Sequence, residues 1–298
     1  MTESARSGAV VTEPERRGAP DEPAGVPTSG VATTLRPYVP EVRAEAVRQF
    51  EERQGDLRLA PVTVVIAAYD EDQAIGHVLD GIASEACGLP VETIVVDDGS
   101  SDRTTEVAEA HGARVATLRR NCGHGIALRL GYELASRYGA RYIVTLDADG
   151  EWDPADIPTV LQPLVDDEAD FVIGSRVLGS DEGDDVIRRA GVRLFAALIR
   201  LLTGVRVTDT SSALRALRPE VTQTVRQEQV QYQTSELLIG AICRGYRVTE
   251  RPVAHHPRLA GESKKGANVL YGFRYARVIV RTWLRERRPR EAPTDGRS

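Results

Sequence analysis

A soluble α/β domain, with a mostly parallel central sheet flanked by helices, is the fold class this sequence predicts. Two observations carry it. A continuous β-branched run at residues 62–68 and strand-like segments at 92–96 and 142–146 alternate with stretches of helical periodicity, which is the pattern of βαβ units. Each run also stops in a polar cluster: Ala68-Tyr69-Asp70-Glu71, Asp97-Asp98-Gly99-Ser100 and Asp147-Ala148-Asp149-Gly150. Open parallel sheets bind ligands beyond the carboxyl ends of their strands, so these clusters mark the site. A chain of 298 residues, 41% of them hydrophobic, suffices for one large domain with its own core.

In chain order, residues 1–34 are rich in Gly, Pro, Ala, Glu and Thr without apolar periodicity and are expected to form a disordered tail. Residues 35–60 form a lead-in whose helix, 42–54, ends at Gly55. The strand at 62–68 is followed by a helix over 73–86 and the strand 92–96. Then come a helix after Ser100, a strand at 114–118, a helix over 126–138 and the strand 142–146. A helix at 154–165 leads to a short strand at 171–173, an acidic loop at 180–185 and a helix at 186–202. A helix over 235–244, a strand at 247–251, a loop at 255–266 and a last helix at 269–287 complete the chain. The catalytic domain is read as 61–266, and 267–298 as a basic amphipathic helix and tail.

Composition narrows the function. A net charge of −6 argues against a nucleic-acid partner. Cys87, Cys122 and Cys243 are odd in number and far apart, which fits neither a disulfide framework nor a zinc site, and they are read as buried thiols. No run of apolar residues suits a membrane span or a signal peptide, so a cytoplasmic protein is expected. Lys264 and Lys265 are the only lysines among 38 cationic residues, and they stand side by side in one Gly-bounded loop.

The chemistry centres on carboxylates. Asp147 and Asp149 alternate across a strand end and can converge on one hard cation, with Glu151 adding a third oxygen. Mg²⁺ or Mn²⁺ suits such a set and would neutralise charge on a departing diphosphate. The alternative is an acidic turn capping the helix at Pro154. Asp97 and Asp98 follow a buried strand, where a carboxylate can accept from a base or ribose, while Ser100 or Ser101 can cap the next helix.

The motifs Ile66-Ala67-Ala68-Tyr69-Asp70-Glu71, Val96-Asp97-Asp98-Gly99-Ser100, Asn121-Cys122-Gly123-His124-Gly125 and Asp147-Ala148-Asp149-Gly150 together resemble the family 2 glycosyltransferases of GT-A fold. Asp209-Thr210-Ser211-Ser212-Ala213-Leu214-Arg215 and Gly261-Glu262-Ser263-Lys264-Lys265 are similar to the dolichol- or polyprenyl-phosphate mannosyl and glucosyl synthases of that family. The resemblance spans about residues 61–281. It implies an inverting, metal-dependent transfer of a hexose from a UDP- or GDP-sugar to a polyprenyl phosphate or a small molecule. It also implies nucleotide contacts from Ala67, Tyr69, Glu71, Asp98 and Asp147, and metal contacts from Asp147, Asp149 and Glu151. Arg176, Arg189, Arg258, Ser263 and Lys264 would face donor or acceptor phosphates. Asp149, Arg215 and Glu236 would be catalytic, with Glu236 the base for a hydroxyl acceptor and Ser235 the alternative reason for an acid there, as a helix cap.

His124 stands where relatives commonly have Lys or Arg, and Ser212 where Gly is usual. These departures favour a soluble natural-product or peptide hydroxyl as a rival acceptor, or a non-catalytic nucleotide-sugar-binding protein. A nucleotidyltransferase is disfavoured because the first strand runs into Tyr69-Asp70-Glu71 rather than a Gly-rich loop. His255 and His256 alternate on an extended segment and are read as structural. On the terminal helix Arg274, Arg277, Arg281, Arg285 and Arg288 recur at helical spacing beside an apolar face. Peripheral contact with the inner membrane face, a solvated face and homodimerisation are the three expectations for it.

Overall fold

Val62, Val64 and Ile66 point to one side of the first strand, and Val65 to the other. That alternation puts apolar side chains on both faces of a central sheet. The computed structural model describes residues 40–55, 57–182, 186–260 and 269–287. Eight strands form one mixed sheet: β1 (Val62–Ala68), β2 (Glu85–Ala86), β3 (Leu89–Asp97), β4 (Arg114–Thr117), β5 (Tyr142–Asp147), β6 (Phe171–Asp181), β7 (Arg215–Leu217) and β8 (Val248–His255). Their order is β2-β3-β1-β5-β7-β6-β8, with β4 on β3.

β3, β1 and β5 pair in parallel, and the chain runs outward from β1 to β3 and β4 before returning to β5 on the other side of β1. The switch point therefore lies between β1 and β5, where Ala67 pairs in register with Asp147. β7 is antiparallel to both neighbours, which leaves β6 and β8 running the same way as β5.

The described helices are α1 (Pro40–Gln54), α2 (Ile75–Asp80), α3 (Thr104–Ala110), α4 (His124–Arg137), α5 (Ile157–Val165), α6 (Val186–Thr203), α7 (Pro219–Thr224), α8 (Gln233–Cys243) and α9 (Val269–Glu286). One face of the sheet packs Val64, Ile66, Val95 and Leu146 against α2 and α5. The other packs Val65, Ile143, Phe171 and Ile173 against α4, α8, α9 and part of α6. α1 seals Phe50 over Ile94, Val96 and Leu118. Burying each such side chain contributes about 1.5–3 kcal/mol.

Several boundaries differ from those expected. The helix expected over 73–86 stops at Asp80, because Cys87 and Gly88 both adopt positive φ (52° and 72°), turning 85–90 into a tight hairpin instead. β6 extends to Asp181 and β8 to His255. Together they form a ribbon whose register shifts between Ser175 and Ser180, so that Ser175 faces Pro252 and Ser180 faces Ala254. Gly179 makes that shift feasible, since a Cβ there would collide with the Val253 backbone. The cysteines are partly rather than fully buried. Among the described residues, no helix is long and apolar enough to cross a membrane. The expected tail 1–34, Ser263, Lys264, Lys265, Arg288 and the side chain of Arg189 lie outside the described residues.

Candidate active site

The loops after β1 and β3 are laced into one rim. Asp98 N donates to Ala68 O (2.8 Å), Asp70 N to Ser100 Oγ (3.0 Å), Glu71 N to Thr104 Oγ1 (2.9 Å), and Asp72 N to Asp102 Oδ2 (3.1 Å). Neither Ser100 nor Ser101 caps the following helix, which begins only at Thr104. Their polar groups join the rim instead, where Ser101 N donates to Asp70 Oδ1 (2.8 Å).

Asp98 is buried, and both its oxygens are engaged: Cys122 N and Gly123 N each donate to it at 2.7 Å. It thus fixes the loop that leads into α4. Burial pushes its carboxyl up to about 6, against the two N–H donors that favour the charged form. Tyr69 and Glu71 lie half-buried on the same rim, and Ala67 sits beneath it at the switch point.

Beyond β5, Asp147, Asp149 and Glu151 offer ligand oxygens that all lie within 4.8 Å of one another. Glu151 N turns back to Asp149 Oδ1 at 3.1 Å, which curls the backbone around the cluster. Asp149 is buried, and burial first, then Asp147 and Glu151, push its carboxyl up to about 6. The capping role considered for this turn falls to Asp153, which accepts from Ala155 N at 2.8 Å.

The segment after β8 lies along this turn, with His256 N on Glu151 O (2.8 Å) and Leu259 N on Asp149 O (3.0 Å). It carries Arg258, whose Nη2 donates to Asp149 Oδ2 (2.7 Å) and Nη1 to Glu71 Oε1 (3.1 Å). His255 is buried edge-on against Trp152, its Nδ1 3.0 Å from Asp181 Oδ1. Its Nε2 makes no hydrogen bond and lies 3.6 Å from Glu151 Oε2. His124 Nε2 stands 3.9 Å from Asp147 Oδ1. Three clustered carboxylates with an orphaned buried imidazole nitrogen at their edge fit a hard divalent cation. His255 thus borders this cluster through Nε2 while its Nδ1 holds Asp181. Val253 and His255 alternate in burial along β8, an alternation that the intervening apolar Ala254 hides in the sequence.

Other expected site residues are committed elsewhere. Arg176 is buried, paired through Nε with Asp209 Oδ2 (2.6 Å), bonded to Ser211 Oγ (3.1 Å) and stacked 4.9 Å from the Trp152 ring. Burial alone would raise the Asp209 carboxyl, but the Arg176 guanidinium overrides it and holds it below the usual range. This arginine is a buried ion-pair partner, and the geometry gives the phosphate-facing position expected for it no support. Arg215, expected to be catalytic, is fully buried and donates to three carbonyls, Ser212 O (2.7 Å), Thr234 O (2.6 Å) and Thr210 O (3.1 Å). It fastens the β7 entry to α8. Glu236 is likewise fully buried, with Oε2 accepting from Glu228 N (2.7 Å) and Gln229 N (2.8 Å) and Oε1 from Arg285 Nη1 (2.8 Å). Both oxygens of this carboxylate are already bonded and neither reaches solvent. Ser235 is not the cap of α8, which begins at Gln233; its hydroxyl donates to Thr210 O (3.1 Å).

Residues 63–226 match the family described as Glycosyl transferase family 2. The chain belongs to that family. It is a nucleotide-sugar-dependent glycosyltransferase of GT-A fold, resembling the polyprenyl-phosphate sugar synthases. Among relatives of this glycosyltransferase, a dolichyl-phosphate hexose transferase of Haloferax volcanii is 34% identical over 226 residues, covering 76% of this chain and 95% of the relative. An undecaprenyl-phosphate 4-deoxy-4-formamido-L-arabinose transferase of Edwardsiella ictaluri is 32% identical, covering 74% and 68%. The fold is shared with glucosyl-3-phosphoglycerate synthase of Mycobacterium tuberculosis, crystallised with Mn²⁺, UDP and glucosyl-3-phosphoglycerate. The TM-score is 0.57 at 23% identity, covering 80% of this chain and 83% of that one.

Proposed function

We propose that this glycosyltransferase moves a hexose from a UDP- or GDP-sugar to a polyprenyl phosphate, with inversion, using Mg²⁺ or Mn²⁺ held by Asp147, Asp149 and Glu151. The observation that carries the reading is the convergence of those three carboxylates at the switch-point end of β5. A divalent cation there would stabilise the charge of the departing nucleoside diphosphate. Asp147, Asp149 and Glu151 bind it, and His255 lies beside them as a nitrogen donor. Ala67, Tyr69, Glu71 and Asp98 line the nucleotide end. Arg258, released from Asp149, turns its planar fork to the diphosphate, a geometry that guanidinium groups suit. Ser263, Lys264 and Arg189 are carried from the resemblance as further phosphate contacts.

A phosphate acceptor is already anionic and attacks without a base, whereas a hydroxyl needs one. Glu236, the base assigned to a hydroxyl acceptor, is fully buried with both oxygens already bonded, which supports the phosphate. The surface supports a lipid-borne acceptor too. α9 exposes Phe273, Arg274, Arg277, Arg281 and Leu284, an apolar and cationic mixture suited to peripheral contact with anionic lipid at the inner membrane face. Self-association through this surface is the competing use of it, and sedimentation with and without anionic vesicles separates the two.

The test is transfer from a panel of UDP- and GDP-hexoses, with Mn²⁺, to polyprenyl phosphate in vesicles, read by mass spectrometry of the lipid. A hexosyl phospholipid that disappears with EDTA is expected. Glycosylation of soluble hydroxyl acceptors with none of the lipid would overturn the acceptor assignment, and nucleotide binding without any turnover would overturn the enzymatic one.

A further inference from the structure

The carboxylate expected to serve as a base holds a loop instead, and that loop reaches the nucleotide end of the site. Glu236 grips the backbone of Glu228 and Gln229 through one oxygen and Arg285 through the other. Arg285 lies in the last turn of α9, and its Nη2 also donates to Arg226 O at 2.6 Å. The irregular segment 226–229 is therefore fastened from two helices at once, α8 and α9.

The far side of the same segment touches α4. Val230 O accepts from Gly125 N (2.8 Å), and a Cβ on Gly125 would lie 2.6 Å from both Gln229 O and Val230 O. Only glycine permits that approach. Arg129 ties the two together from beneath, bonding Gly125 O (3.0 Å) and Gln227 O. Three and two residues before Gly125, the amides of Cys122 and Gly123 end on Asp98. An unbroken run of short contacts thus leads from Arg285 through Glu236, the 228–230 backbone and the first turn of α4 to Asp98.

We infer that Arg285 is a positioning residue, coupling the seating of the C-terminal helix to the shape of the Asp98 rim. The physical reason is the cost of leaving Glu236 charged and buried without its cation. The carboxylate relieves it by rotating away, which weakens its hold on the Glu228 and Gln229 amides. The segment then no longer presents Val230 O to Gly125. Whatever shifts the last turn of α9, the helix that also carries the exposed Phe273 and Leu284, is felt at the nucleotide end. The consequence for donor binding rests on the proposed function, whereas the structural coupling does not.

Amide hydrogen exchange on the full chain without nucleotide tests the coupling directly. In Arg285→Ala, exchange at Cys122, Gly123 and Gly125 is expected to rise about tenfold while β1 stays protected, as local rather than global opening requires. Arg285→Lys should recover part of that protection, and Glu236→Gln should loosen the same amides. These two variants carry the comparison if Arg285→Ala does not fold. Unchanged exchange at residues 122–125, with 226–229 opened, overturns the inference. So does a uniform rise across β1. Donor kinetics are read separately: KM is expected to rise about tenfold with kcat nearly kept, the signature of lost binding rather than lost chemistry. Loosened amides without any transferase activity would sink the proposed function and leave the coupling standing.

Discussion

Arg258 joins the ends of β1 and β5 by a single guanidinium, 2.7 Å from Asp149 Oδ2 on one side and 3.1 Å from Glu71 Oε1 on the other. It supplies positive charge where the proposed cation would, so the two would compete for Asp149. In Arg258→Ala, Mn²⁺ affinity without nucleotide is expected to rise about tenfold, or ~1.4 kcal/mol. Transfer should fall by about a hundredfold, because the same side chain is then missing from the diphosphate. Calorimetric Mn²⁺ titration beside initial rates checks both, and an unchanged Mn²⁺ affinity rules the competition out.

Asp149→Ala is expected to abolish measurable transfer, by a factor of at least about a thousand, while the fold persists. Burial and its two acidic neighbours already disfavour the charge on Asp149, so removing it relieves strain as well as function. Circular dichroism should be unchanged and the melting temperature no lower. Full activity in this variant would dismiss the metal assignment.

The Asp98 carboxyl, pushed up to about 6 by burial, gives a pH signature of known sign. Between its ordinary value near 3.8 and 6, the folded chain holds a proton that the unfolded chain has lost. Its contribution to stability is therefore present at low pH and lost as pH rises through that window, by an amount on the order of 3 kcal/mol. Asp98→Asn should flatten this part of the stability curve, which urea denaturation at pH 4, 5, 6 and 7, to within about 10–15% in each extrapolated value, would reveal.

The Arg176–Asp209 pair predicts an asymmetric mutational cost. Asp209→Ala leaves a buried guanidinium without its anion and should destabilise by about 3–5 kcal/mol. The effect on transfer should follow the fraction folded rather than exceed it. Urea midpoints and activity per folded molecule separate the two, and a loss of activity in well-folded Asp209→Ala would restore Arg176 to the catalytic machinery.

The parallel core was legible in the sequence because its strands are buried on both faces, and fully buried strands spell themselves as unbroken β-branched runs. Val62 to Ala68 is the clearest case. The carboxylate cluster was legible for a related reason: Asp147, Asp149 and Glu151 are adjacent in the chain, so local geometry alone gathers them. The ribbon of β6 and β8 was not, since Val177, Leu178 and Gly179 lie exposed on a bulge and break the alternation that marks a strand. Arg176, Arg215 and Glu236 were legible as residues but not in their roles. Nothing in the chain order announces that Asp209 pairs with the first, that carbonyls 210, 212 and 234 surround the second, or that Arg285, 49 residues on, meets the third.

The bulge in the β6–β8 ribbon also decides which acid meets the buried imidazole. Side chains on an extended strand change sides at every step, so deleting a single residue between Val177 and Gly179 would advance the end of β6 by one against β8 and set Glu182 where Asp181 now stands 3.0 Å from His255 Nδ1. A small irregularity remote from β5 thus works as the gauge that keeps a chosen acid against the imidazole beside Glu151, and lengthening or shortening it would change that neighbourhood without touching a carboxylate of the cluster.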